Sequence, residues 1–89
     1  MRLYRKGLPR SGCCWFTEYE EALNWDGNDE KIISRIILLE EEFNTFFEQN
    51  GVGYKLSHEG FRYFERRIEM YYIDDFLDRC NDPVIGKFM

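Results

Sequence analysis

The chain has one histidine, two prolines and three cysteines among its 89 residues, and each shortage closes off a class of protein. With His58 as the sole imidazole, neither a His-rich metal centre nor a second histidine base can be built. Cys13, Cys14 and Cys80 are an odd count, and the adjacent pair is poorly placed to bridge, because a disulfide wants its Cα atoms further apart. These residues read as reduced thiols of a cytoplasmic protein. The longest apolar run, Ile36 to Leu39, is far too short to cross a bilayer. "MRLYRKGLPRSG" lacks the apolar segment of a secretory leader. No membrane association is expected.

Motifs that carry catalysis or cofactors are also missing. Zinc sites use C-x₂₋₄-C spacing, and adjacent cysteines chelate poorly. "DGNDE" (Asp26 to Glu30) opens like a calcium loop, but its sixth position is Lys31, where glycine is required. "GVG" (Gly51 to Gly53) has none of the rest of a phosphate-binding loop. A Cys-His nucleophile needs a thiolate beside an imidazole in a pocket; three thiols and one histidine permit this without pointing to it. No metal, no cofactor and no enzymatic activity are expected.

What is present is aromatic and acidic. Apolar residues make up 44% of the chain and aromatics 18%, too rich for a disordered tail. The length suits one domain, residues 1–89. The net charge of −5 disfavours a phosphate-backbone partner. Charge is segregated: Arg2, Arg5, Lys6 and Arg10 crowd the first ten residues without an acid. Glu18, Glu20, Glu21, Asp26, Asp29 and Glu30 then follow without a base. The two segments either pair with each other or form separate surfaces.

Periodicity suggests a mainly helical α+β fold. Thr17 and Glu20 have capping-box spacing, so a short helix is expected from about Glu18, stopping at Asp26-Gly27. Ile32, Ile36, Leu39, Phe43 and Phe46 recur at helical intervals and predict a long helix over 29–49, broadened by Ile33 and Ile37. Val52, Tyr54 and Leu56 alternate as in a strand, and a strand at 53–56 could pair with 2–5. Ser57 is a helix N-cap candidate. Phe61, Phe64, Ile68, Tyr72, Phe76 and Cys80 then predict a second long helix over 58–80, antiparallel to the first, ended by Asn81 and Pro83. The competing reading of 58–65 is the second strand of a hairpin. The expected fold is thus two long antiparallel helices, one short helix, and a small two-stranded sheet or hairpin.

"YKLSHEG" (Tyr54 to Gly60) resembles the last wing strand and final helix of winged-helix regulators, where Y-x-L-T-x-x-G recurs. The resemblance covers less than a quarter of the chain. It implies DNA binding through Arg62, Arg66 and Arg67. A winged helix also needs a helix-turn-helix with a basic recognition helix ahead of the wing. The helix expected there carries Glu40, Glu41 and Glu42, with no paired strand between it and Tyr54. A solvated face balancing Glu65 and Glu69 is the plainer reading of those arginines.

The remaining candidate site is an acidic, aromatic surface: Glu18, Tyr19, Glu21, Trp25, Asp26 and Asp29. Tyr72, Asp74, Asp75 and Asp78 form a second cluster. Aromatics anchor protein interfaces, and carboxylates steer a basic partner. The expectation is a small acidic, non-enzymatic protein that binds a macromolecular partner, a basic protein surface, as an inhibitor or immunity-type factor would. Size and charge are broadly those of small acidic nuclease inhibitors and colicin-type immunity proteins. The alternative is a structural homodimer, with Ile33 and Ile37 completing an interface on the long helix. A degenerate winged-helix DNA-binding domain ranks third, and nucleic acid is not an expected partner.

Overall fold

A computed structural model describes residues 1–25, 30–73 and 86–87, and the chain it shows is built mainly from strands. Strands β1 (Arg2–Lys6), β3 (Ile32–Ile37) and β6 (Glu69–Tyr72) form one antiparallel sheet in the order β1-β3-β6, and the two-residue β7 (Gly86–Lys87) pairs on the β6 edge. Strands β2 (Gly12–Trp15), β5 (Gly53–Leu56) and β4 (Phe47–Asn50) form a second antiparallel sheet in the order β2-β5-β4. The helices described are short: α1 (Tyr19–Leu23), α2 (Glu40–Phe46) and α3 (His58–Phe64). Among the described residues, no helix is long and apolar enough to cross a membrane.

The two sheets are joined where β2 runs on. Phe16 and Tyr4 exchange both backbone hydrogen bonds, at 2.7 and 2.8 Å, so the chain leaves one sheet and pairs with the outer edge of the other. One face of the β1-β3-β6 sheet presents Leu3 and Ile36 to a core shared with Trp15, Leu38, Phe47, Leu56, Phe64 and Ile68. Full burial of each Leu, Ile or Phe there contributes about 1.5–3 kcal/mol. Trp15 keeps its indole N–H satisfied by donating to the Arg10 carbonyl at 3.0 Å, as a buried tryptophan requires. The opposite face carries Ile33 and Tyr71, covered by Phe16 and by Ala22 of α1.

The mainly helical expectation is therefore overturned. Residues 29–49 are not one helix: "IISRII" is strand β3, and only α2 is helical before β4 begins. β3 is a central strand buried on both faces at Ile33, Ser34, Arg35 and Ile36, so it shows no two-residue alternation. A short doubly buried strand cannot be distinguished from helix by periodicity. Its β-branched content favoured the strand. α2 is short, with three glutamates in its first turn, where the helix dipole favours negative charge.

The second long helix also fails. α3 does start after Ser57, whose Oγ accepts from the Gly60 N–H at 3.0 Å. It ends by Phe64, and the chain returns as β6. The strand at Gly53–Leu56 is present, but it pairs with β2 and β4, while Arg2–Lys6 pairs with β3. α1 begins close to the expected place, but its N-cap is Glu18 rather than Thr17 and carries no side-chain capping bond, so the Thr17–Glu20 box does not cap it; its last residue is Leu23. The stop proposed at Asp26-Gly27 and the helix end at Asn81 and Pro83 lie outside the described residues.

Candidate interaction surface

α1 lies across the β1 side of the sheet, and its spacing divides its side chains. Ala22 is fully buried, and three residues earlier Tyr19 stands edge-on to Tyr4, with ring centroids 5.9 Å apart. Residues three apart share a helix face, so Glu20 and Glu21 point away from the sheet. Glu18, Glu20 and Glu21 are all exposed. None of the three forms an ion pair with a described cation.

Beside them runs a shallow groove lined by Met1, Arg2, Tyr4, Glu18, Tyr19 and Ile37. Glu18 and Tyr19, from the expected acidic surface, therefore meet Ile37, from the expected alternative interface. That meeting was not legible in the chain, because it depends on β1 lying between α1 and β3. Met1 is tied to the same corner: its ammonium donates to the Leu38 carbonyl at 2.8 Å. Met1 and Ile37 remain 46% and 45% exposed, which leaves apolar surface next to the carboxylates.

The other members of the set lie elsewhere. Trp25 packs on Phe16, with centroids 5.4 Å apart, and lines a separate groove with Arg5, Lys6, Gly7, Arg10, Cys14 and Glu30. That groove carries three basic residues, Arg5, Lys6 and Arg10, and one acid, Glu30. Asp26 and Asp29 lie outside the described residues, as do Asp74, Asp75 and Asp78 of the second acidic cluster. Ile33 is completely buried, so it has no surface to offer a second copy. The helix that was to display Ile33 beside Ile37 is strand β3, which sends them to the same sheet face but only Ile37 to solvent.

The basic N-terminal segment is only partly a surface. Arg5 is nine-tenths buried; its Nη1 donates to the carbonyls of Lys6 and Leu8, both at 3.0 Å, and its Nε is buried without a partner. Desolvation lowers the pKa of this guanidinium, and Arg10 lowers it further. Arg5 therefore works mainly as an internal brace for the turn through Gly7. Ser34 helps, donating to the Gly7 carbonyl at 2.7 Å.

The segment resembling a winged helix has a real hairpin: β4 and β5 pair around Gly51-Val52, so a paired strand does precede Tyr54. Gly51 has φ 67°, at the first loop position, where a type II′ turn calls for glycine. The helix ahead of the hairpin is α2, seven residues long with an acidic first turn. Of the three arginines, Arg62 and Arg66 are exposed. Arg67 is committed to Glu42, donating from Nη1 and Nη2 to its two oxygens at 2.9 and 2.6 Å. Tyr63 Oη and the Leu39 N–H also donate to Glu42, at 2.8 and 2.9 Å. These donors, Arg67 first, hold the Glu42 carboxyl at about 2.

No three His, Cys, Asp or Glu side chains among the described residues converge as metal ligands would. Compared with protein-family models, with curated proteins and with solved structures, the chain matches none.

Proposed function

We propose that this is a non-enzymatic binding protein of the cytoplasm, which docks a basic, partly apolar segment of a protein partner against α1 and occludes it, as an inhibitor or immunity-type factor would. One observation carries the reading: Glu18, Glu20 and Glu21 of the α1 segment stand exposed without described ion-pair partners, and Glu18 lines a groove with Met1, Arg2, Tyr4, Tyr19 and Ile37. Unpaired carboxylates attract a cationic segment over several ångströms, and the half-exposed Met1 and Ile37 side chains supply apolar contact area once it arrives. Sequence segregation of charge supports the same face, since no base interrupts residues 11–30.

The test is capture of host proteins on the immobilised chain, followed by mass spectrometry, with the Glu18→Lys, Glu20→Lys, Glu21→Lys triple variant as control. Far-UV circular dichroism should be unchanged by the substitutions, because all three side chains are exposed. A basic protein retained by the parent and lost by the variant, with retention falling as salt rises, is the expected result. Equal capture by both would remove α1 from consideration. Sedimentation equilibrium checks the competing occupant, a second copy of the chain.

A further inference from the structure

Consecutive side chains in a regular strand point to opposite faces, yet the Sγ atoms of Cys13 and Cys14 lie 2.7 Å apart. The backbone explains this. Gly12 pairs with Leu56 and Trp15 with Tyr54, so β2 holds one residue more than its partner over this stretch, a β-bulge. Gly12 has φ 102° and Cys14 has φ 82°, and the second value is unusual and strained for a residue with a side chain. It turns the Cys14 thiol to the side that Cys13 occupies. Cys13 is exposed and Cys14 half-buried. Cys14 lines the groove that also holds Arg5, Arg10 and Trp25.

We propose that Cys13 and Cys14 form a redox-active dithiol site that reacts with small anionic disulfides of the oxidised-glutathione type. The exposed Cys13 thiolate attacks one sulfur of the small disulfide, forming a mixed disulfide and releasing one small thiolate. Cys14 then loses its proton to solvent and attacks Cys13 Sγ, closing a Cys13–Cys14 disulfide and expelling the second small thiolate. The protein pair is oxidised by two electrons, and one small disulfide is reduced to two thiols. Burial pushes the Cys14 thiol up, which lowers its thiolate fraction; its position 2.7 Å from Cys13 Sγ is what favours the second step. Lys6 and Arg10 line the groove that Cys14 shares, with Glu30 as its one acid, and this excess of positive charge would attract carboxylates of the small disulfide. Adjacent Cα atoms are only about 3.8 Å apart, closer than unstrained disulfides prefer. The closed ring is therefore readily reduced again, the behaviour of exchange-active rather than structural disulfides.

The experiment incubates the reduced, folded chain with oxidised glutathione, and in parallel the Cys80→Ser chain, in which no third thiol can compete. Intact mass and peptide mapping identify the products. The expected result for both is a monomer lighter by two hydrogens, with Cys13 linked to Cys14, no glutathione attached and an unchanged far-UV spectrum. In Cys14→Ser, glutathione should stay on Cys13. Stable glutathione adducts on the parent pair, disulfide-linked dimers, or thiols that do not react would each overturn the site. Equal rates with oxidised glutathione and with oxidised 2-mercaptoethanol, a neutral disulfide, would overturn the preference for anions.

Discussion

Two arginine–glutamate pairs tie together parts of the chain that are distant in sequence, and they differ in nearly everything else. Arg35 and Glu69 face each other across β3 and β6, with side chains 6% and 18% exposed. Arg35 Nε and Nη2 both donate to Glu69 Oε1, at 3.1 and 2.5 Å. Tyr71 Oη closes the triangle, accepting from Arg35 Nη2 at 2.6 Å and donating to Glu69 Oε1 at 3.2 Å. Arg67 and Glu42 instead meet on the surface, where Arg67 is 42% exposed and lies over the rings of Tyr63 and Phe64 at 5.3 and 5.2 Å. The inner guanidinium is almost cut off from water that could replace a lost partner, so the pair penalises any slip in β3–β6 register. The outer pair clamps α2 to the end of α3, and at the exposed Arg67 solvent can substitute for a lost carboxylate. Equal chemistry yields a register device in one place and a surface clip in the other.

The largest effect should come from breaking the inner pair on one side. Glu69→Ala leaves the Arg35 guanidinium buried with only Tyr71, and should cost about 3 kcal/mol in urea unfolding, the low end for a buried pair because Glu69 is partly solvated. The double variant Arg35→Met, Glu69→Leu should recover much of that loss. A double variant as unstable as the single would mean that the charges themselves, and not the uncompensated burial, hold β3 to β6.

Next in size is Gly60→Ala, in the region of the outer clip. A Cβ there would sit 2.6 Å from Phe46 Cβ and 2.7 Å from Leu56 Cδ1, so α3 would have to move away from α2 and β5. A loss of about 1–3 kcal/mol is expected, despite the gain in helix propensity. Thermal unfolding that rises instead would show that α3 has room to adjust.

The outer pair predicts a smaller, pH-dependent effect. Glu42 is held at about 2, below its ordinary 4.5. The folded state therefore binds this proton less readily than the unfolded chain does. The stabilisation is present above the ordinary carboxylate value and is lost as the pH falls from 4.5 towards about 2. The melting temperature of the parent should exceed that of Glu42→Gln at neutral pH, and the gap should close over that acid window. A gap independent of pH would assign the loss to packing rather than charge.

The smallest effect on stability belongs to α1. Glu18→Lys with Glu21→Lys should change unfolding free energy by no more than about 0.5 kcal/mol per site, the range for exposed positions. A larger change would mean that these carboxylates already serve the fold, which would weaken their assignment to a partner.

Local features were legible from the chain alone: the Ser57 cap, the strand at Gly53–Leu56, and a helix beginning near Glu18. Each depends on groups within a few residues of one another, where φ/ψ preference and nearby hydrogen bonds decide the outcome. The aromatic richness that required a core, and the charge segregation that left residues 11–30 without a base, were equally plain. Only the tertiary structure decided that "IISRII" is a strand, because β1 and β6 pair with its two edges while α1 and the second sheet help cover its two faces. Isolated from them, its apolar spacing fits a helix as well. Tertiary structure also buried Ile33, brought Ile37 to Glu18 and Tyr19, sent Trp25 among arginines, and turned two neighbouring thiols to one side of a bulge. Sequence spacing states which residues are close along the chain; strand pairing, which is non-local, states which are close in space.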